Sequence, residues 1–216
     1  MDAYIYQITQ QNTVRCSDTT VKLPMSFTFG DECLFYFSDD DSADSHSLMK
    51  VDLETLEISF VSKEPGIESI NFEYSGGRVY GHFVEYLEPV LYCYSISIHS
   101  GERRLEEEDI PYFTVHDGWL YYTKNFSSGE KGRYGIPNSR LYARNLKTGK
   151  AKDYGPIFID GFYGYLEEHI TFGKNGFVLT KPNQYFGREG GWETLNLYYY
   201  YPYSGGEPVP LSLDDA

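Results

Sequence analysis

Apolar and polar positions along this chain alternate in short runs and never settle into a helical rhythm. The apolar stretches Phe27-Thr28-Phe29, Leu34–Phe37, Val90–Tyr94, Trp119–Tyr122 and Leu195–Tyr201 are short and stop at Gly, Asp, Asn, Ser or Pro. That is the pattern of strands bounded by turns. No stretch keeps apolar residues at a spacing of about 3.6 for three turns, so no amphipathic helix is predicted. Tyr occurs 22 times and Phe 14, and both suit a pleated, half-buried surface. The chain reads as all-β.

A repeat underlies the pattern. Each copy opens on a tight turn: Gly30-Asp31, Gly76-Gly77, Asp117-Gly118 and Asn175-Gly176. An aromatic-rich strand follows, then a variable loop, a second strand and a second turn. The second turns read Val51–Thr55, Ile96–Gly101, Arg144–Gly149 and Tyr201–Gly205, with Thr55, Ser100, Thr148 and Ser204 taken as equivalent. A closing strand follows each second turn, as in Glu57–Phe60. An opening strand precedes each first turn, as in Ile70–Tyr74. Four strands per repeat at a period of roughly 40 to 50 residues predict a β-propeller of four-stranded antiparallel blades. A β-sandwich whose hairpins resemble one another by accident is the competing arrangement.

The whole chain, 1–216, is read as one propeller domain with blades near 25–64, 67–108, 110–155 and 158–212. Tyr4–Gln11 aligns with Leu48–Leu56, and Thr13–Cys16 adds a closing strand, so residues 1–20 read as the outer half of a further blade. The count is four and a half to five blades. Either a small ring closes irregularly, or the chain is a piece of a larger propeller, since six blades at this period need roughly 270 residues. Residues Phe158–Glu168 have length for one more strand.

The segments Asp117–Tyr122 and Leu141–Lys150 resemble the blades of bacterial TolB-like propellers and, more broadly, of uncharacterised propeller domains of the low-density-lipoprotein-receptor YWTD type. The resemblance spans essentially the whole chain through a generic motif. It implies the fold and no residue-level catalytic pattern. Many such relatives belong to the cell envelope.

Charge narrows the partners. Lys plus Arg is 18 against 32 Asp plus Glu, a net charge of −14. That field repels a nucleic-acid backbone and an anionic membrane. No apolar run approaches the length of a membrane helix. The N-terminus shows no secretory signal, which favours a cytoplasmic location, or the envelope if the start is truncated. Cys16, Cys33 and Cys93 are odd in number and without metal-ligand spacing, fitting a reducing compartment or buried thiols.

No nucleophile elbow, zincin motif, Walker loop or dinucleotide fingerprint occurs. His46, His82, His99, His116 and His169 are scattered and read as turn or surface residues. Asp39-Asp40-Asp41-Ser42-Ala43-Asp44 offers hard oxygen ligands for calcium. It lacks the Gly and the terminal Glu of an EF-hand loop, so it reads as a solvated acidic loop. Glu106–Asp109 reads as an acidic linker between blades. Glu167-Glu168 are adjacent on one strand and point to opposite faces, so the pair is not a glycosidase dyad. No catalytic residue, metal site or cofactor is assigned.

Loop length points to a face. Connections from first to second and from third to fourth strands are minimal. The variation lies between second and third strands, at Asp39–Ser47, Tyr86–Pro89, Asn125–Ser139 and Pro182–Trp192. In an up-and-down blade these connections share one end, as expected of a binding face. The third carries Arg133 and Tyr134, and the fourth carries Tyr185, Phe186, Arg188 and Trp192, among glycines. Aromatics with Arg are enriched at interaction hot spots. The expected function is a non-enzymatic module binding a protein or peptide there. A glycan-binding or carbohydrate-active propeller is the alternative, and a structural segment of a larger propeller is the third.

Overall fold

A computed structural model describes residues 2–3, 6–8, 13–15, 21–22, 27–39, 45–65, 72–84, 91–110, 112–125, 139–157, 170–186 and 192–211. The chain divides into two compact units, Met1–Glu108 and Asp109–Ala216. All regular structure among the described residues is strand, arranged in four four-stranded antiparallel sheets and two two-stranded ones.

In the first unit, β1 (Asp2–Ala3) pairs with β4 (Val21–Lys22), and β2 (Tyr6–Ile8) pairs with β3 (Thr13–Arg15). The next sheet runs in chain order through β5 (Phe27–Gly30), β6 (Cys33–Asp39), β7 (Ser45–Asp52) and β8 (Ile58–Pro65). Another follows through β9 (Phe72–Ser75), β10 (Arg78–Val84), β11 (Leu91–Ser97) and β12 (Arg103–Glu108). The second unit repeats the plan with β13 (Phe113–His116), β14 (Trp119–Asn125), β15 (Ser139–Asn145) and β16 (Ala151–Ile157). It ends with β17 (Ile170–Phe172), β18 (Gly176–Phe186), β19 (Trp192–Pro202) and β20 (Val209–Leu211). Each four-stranded sheet is an up-and-down meander whose neighbours in sequence are neighbours in space.

Two turns at one end close every meander, and they are bonded to each other. The amides of Leu53, Ile98, Leu146 and Tyr203 donate to the carbonyls of Glu32, Gly77, Gly118 and Asn175 at 2.9 to 3.1 Å. The first turn has positive φ at both central residues in three sheets: Asp31 and Glu32, Gly76 and Gly77, Asp117 and Gly118. That geometry matches the twist of the flanking strands. The turn therefore sits at Asp31-Glu32, one residue later than the glycine at position 30 suggests. In the last sheet the turn is Lys174-Asn175, with Gly176 already in the strand. The bond to Tyr203 also shifts the equivalence of Ser204 by one position.

The second turn is held by a side chain. Asp52 Oδ1 accepts from the amides of Glu54 and Thr55 at 3.0 and 2.8 Å, and Asn145 Oδ1 accepts from those of Lys147 and Thr148 at 3.2 and 2.8 Å. Ser97 Oγ does the same more weakly, at 3.4 and 3.3 Å. Gly101 and Gly149 then supply a positive φ, where the first sheet uses Leu56 at 62°.

Inside the first unit, Cys33, Phe35, Phe37 and Leu48 of one sheet pack against Phe72, Val79 and Ile96 of the next. Tyr74 joins them. Its ring stacks on Phe35 at 5.2 Å, and its amide donates to Thr28 Oγ1 at 3.2 Å. Its hydroxyl donates to Asp31 and accepts from the amide of Gly77. Gly30 lies beneath this ring, where a Cβ would run into Tyr74 Cδ1.

Three closing strands bulge at the same place. The register slips between Leu48 and Met49, between Cys93 and Tyr94, and between Leu141 and Tyr142. The residues left over are Val61, Glu106 and Tyr154. A bulge re-aims one side chain, and here it turns Val61 and Tyr154 into the cores of their units. Glu106 is a correction to the linker expected from its acidic run. It is a strand residue whose side chain is fully buried, bonded to Arg104 at 2.9 Å and to Ser95 Oγ at 2.5 Å. Arg78 in turn donates to Ser95 Oγ at 2.8 Å. A carboxylate out of water needs such partners. His82, expected at a turn or surface, is also buried.

Turn geometry predicts an ordered stability series. Glu32→Gly relieves a positive φ at an exposed residue and should gain about 0.5–1 kcal/mol. Gly149→Ala, with open space around it, should cost about 1 kcal/mol. Gly101→Ala should cost more, because its Cβ would also press on the Val61 carbonyl at 2.8 Å. Urea midpoints of the three variants test the order. Equal losses at Gly101 and Gly149 would show that the neighbouring strand yields.

Candidate functional site

In the second unit, the two sheets meet in an aromatic layer. Phe177 stacks on Tyr201 at 5.0 Å and receives Tyr121 and Tyr154 edge-on at 5.5 and 5.1 Å. Offset and edge contacts of this kind suit ring quadrupoles. Tyr201 and Tyr199 belong to this core, as alternation along the Tyr198–Tyr201 run predicts for one of its two sets.

Above the layer, at the end of the sheets that carries the tight turns, is a cleft of about 330 Å³. His116, Asp117, Trp119, Tyr121, Lys152, Tyr154, Lys174 and Tyr203 line it. The turn at Asp117-Gly118 places His116 and Trp119 opposite one another as register partners. The His116 ring lies parallel to Phe172 at 4.0 Å, which fixes its orientation. Its Nε2 is 3.5 Å from Asp117 Oδ2. Lys152 donates to the Tyr203 carbonyl at 2.8 Å and sits 5.1 Å over the Trp119 ring. The lysine is thus held by a carbonyl and a π-face together. The bulge at Tyr154 brings a third phenol to the cleft beside Tyr121 and Tyr203.

Burial sets the electrostatics of these phenols. It pushes Tyr121, Tyr154 and Tyr203 above the ordinary value of 10.0, and the neighbouring phenols raise Tyr121 further. They stay neutral at physiological pH, each able to donate and to accept a hydrogen bond. Aromatic rings, neutral hydroxyls, two ammonium groups and the Asp117 carboxylate line the cleft. Among the described residues no cluster of three or more His, Cys, Asp or Glu is placed to hold a metal ion.

Among the described residues, those expected from the long loops are not on this lining. Arg133, Tyr134 and Arg188 lie outside the described residues, as do residues 40–44 of the acidic loop, Glu167, Glu168 and 158–169 generally. Tyr185, Phe186 and Trp192 are strand residues, which corrects the loop expected over Pro182–Trp192. β18 and β19 run eleven residues each and pair through to Phe186 opposite Trp192. Among the described residues, the outer strands reach Ile170, opposite Leu179, and Leu211, opposite Tyr198. Among the described residues, Lys181–Phe186 and Trp192–Leu197 therefore pair only with each other, as a two-stranded arm on the end away from the tight turns.

The cleft went unread in the sequence. In the sequence His116 reads as a turn residue, and the pointer to Trp119 is positional. It directly follows the first turn, where the other sheets have Cys33, Arg78 and Gly176.

No family model and no curated protein matches the chain. Solved structures do. It is similar to the tricorn protease, at 12% identity and a TM-score of 0.56 over 85% of this chain and 18% of that one. It is similar to the β-propeller domain of the Trilobed protease from Pyrococcus furiosus, at 11% identity and a TM-score of 0.51 over 88% of this chain and 70% of that one. The N-terminal domain of Nup159 matches at 10% identity and a TM-score of 0.50, over 96% of this chain and 53% of that one. The chain thus spans about half of the Nup159 domain and under a fifth of the tricorn protease chain. Likeness at this identity establishes fold. The four-stranded meanders are blades, and the chain is a partial β-propeller.

Alkaline titration tests the buried phenols. A folded pKa raised above the unfolded value gives stability that is intact below pH 10 and lost as the pH climbs through the folded value. Burial also pushes Tyr80 and Tyr201 up to about 12. The urea midpoint should hold from about pH 7 to 10 and fall between about 10 and 12, with tyrosinate absorbance rising as structure is lost. Uniform ionisation near 10 with the fold intact would contradict the burial.

Proposed function

We propose that the chain is a non-catalytic propeller module that binds a protein or peptide at the end of the blades opposite the tight turns. Residues 1–216 form one such domain, with residues 1–20 as the half of a further blade. Arg133, Tyr134, Tyr185, Phe186, Arg188 and Trp192 are its contact residues. The observation that carries the reading is the arm of the last sheet, which among the described residues extends beyond the outer strands and bears three of these six at its tip. Backbone groups on a two-stranded arm and aromatic residues at its tip suit an extended partner chain.

Propellers used for interaction give the reading context. A matching S. cerevisiae complex has Dbp5 bound to Nup159 and Gle1. The likeness of Asp117–Tyr122 and Leu141–Lys150 to TolB-like and YWTD-type blades is part of the same reading. A net charge of −14 favours a partner with a basic surface.

Site-specific photo-crosslinking in the full chain tests it. A photoreactive residue at Phe186 should capture a discrete partner, competed by excess unlabelled chain and lost with Trp192→Ala. The same probe at Lys147, in a tight turn, should capture none. Equal labelling at both positions, or capture indifferent to the competitor, would sink the assignment of the face.

A further inference from the structure

The cleft of the second unit lies at the other end of the blades from the arm, and its chemistry is unlike that of a peptide groove. Trp119 carries Lys152 over one face and His116 stacks one face on Phe172, so each turns its other face and its edge to a ligand. Such faces suit the C–H surface of a pyranose, whose hydroxyls need partners that both donate and accept. The neutral phenol of the half-buried Tyr154 supplies both roles. Lys152 spends one of its three N–H donors on the Tyr203 carbonyl, and Lys174 stands on the adjacent turn. Two ammonium groups stand against the one carboxylate of Asp117 on this lining, in a chain with 18 basic against 32 acidic side chains, and select a ligand with a negative group. The volume of about 330 Å³ is at the small end for ligand sites and suits one ring rather than a chain of them.

From these features we infer that the cleft binds a single acidic sugar residue, a uronate whose ring lies against Trp119 and whose carboxylate meets Lys152 and Lys174. An acidic peptide side chain would use the lysines and leave the ring walls without a partner. A neutral hexose would use the walls and leave the ammonium groups without a counter-charge. This site is independent of the protein-binding arm, so either can fail alone.

The two tryptophans separate the cases, because Trp119 lies in the cleft and Trp192 in the arm. In a ¹⁵N-labelled full chain each gives one indole N–H resonance, and Trp119→Phe assigns them. Titration with glucuronate should move the Trp119 signal saturably, in the millimolar range, and leave Trp192 in place. Glucose should bind about tenfold more weakly, and acetate should give no saturable shift. Lys174→Ala, on an exposed turn, should weaken glucuronate about fivefold or more and leave glucose unchanged, as expected when a charge-assisted contact is lost. Absence of a saturable Trp119 shift overturns the inference. So does equal affinity for glucose, a shift reproduced by acetate, or movement of Trp192 alone.

Discussion

The amide of Leu53 donates to the carbonyl of Glu32, and the same bond recurs from Ile98 to Gly77, from Leu146 to Gly118 and from Tyr203 to Asn175. It ties the loop between third and fourth strands to the loop between first and second, so each sheet has one end at which both turns share a fixed geometry. Everything at that end must be short, since an inserted residue would move the donor away from its acceptor. Length variation is left to the opposite end. The asymmetry of loop length in these blades therefore follows from a backbone constraint.

Within that frame, the bulge in the closing strand is where the blades differ chemically. The same irregularity delivers Val61, Glu106 and Tyr154. Valine extends an apolar core. Glutamate requires Arg104 and Ser95 to offset the loss of water. Tyrosine adds a phenol to an aromatic layer and to the cleft above it. A β-bulge keeps the backbone pattern while exchanging the group it presents, so a repeat can diversify without disturbing its turns.

The second unit offers two surfaces of unlike character. The cleft is built from rigid pieces: a stacked histidine, a lysine held between a carbonyl and an indole, and phenols fixed by packing. Ordering these groups is accomplished by folding, so a small ligand would not bear that entropy. The arm is a paired ribbon without flanking strands among the described residues, a form suited to pairing with an extended partner.

The all-β class, the four repeats and the existence of two recurring turns were legible in the sequence, because strand periodicity and turn chemistry are local properties. So was the division of the Tyr198–Tyr201 run into a core set and its opposite. Register was not. The turn falls on Asp31-Glu32 because Gly30 already pairs with Cys33, beneath the Tyr74 ring from the next sheet. That an acidic run becomes a strand with a buried carboxylate depends on Arg104 and Ser95 being brought to Glu106. Trp119, Lys152 and Tyr203 lie far apart in the chain and become one site only where two sheets pack. The sequence by itself determined the strands and turns, since each rests on a few neighbouring residues. The tertiary structure decided which side chains meet, because packing joins residues that no short-range pattern relates.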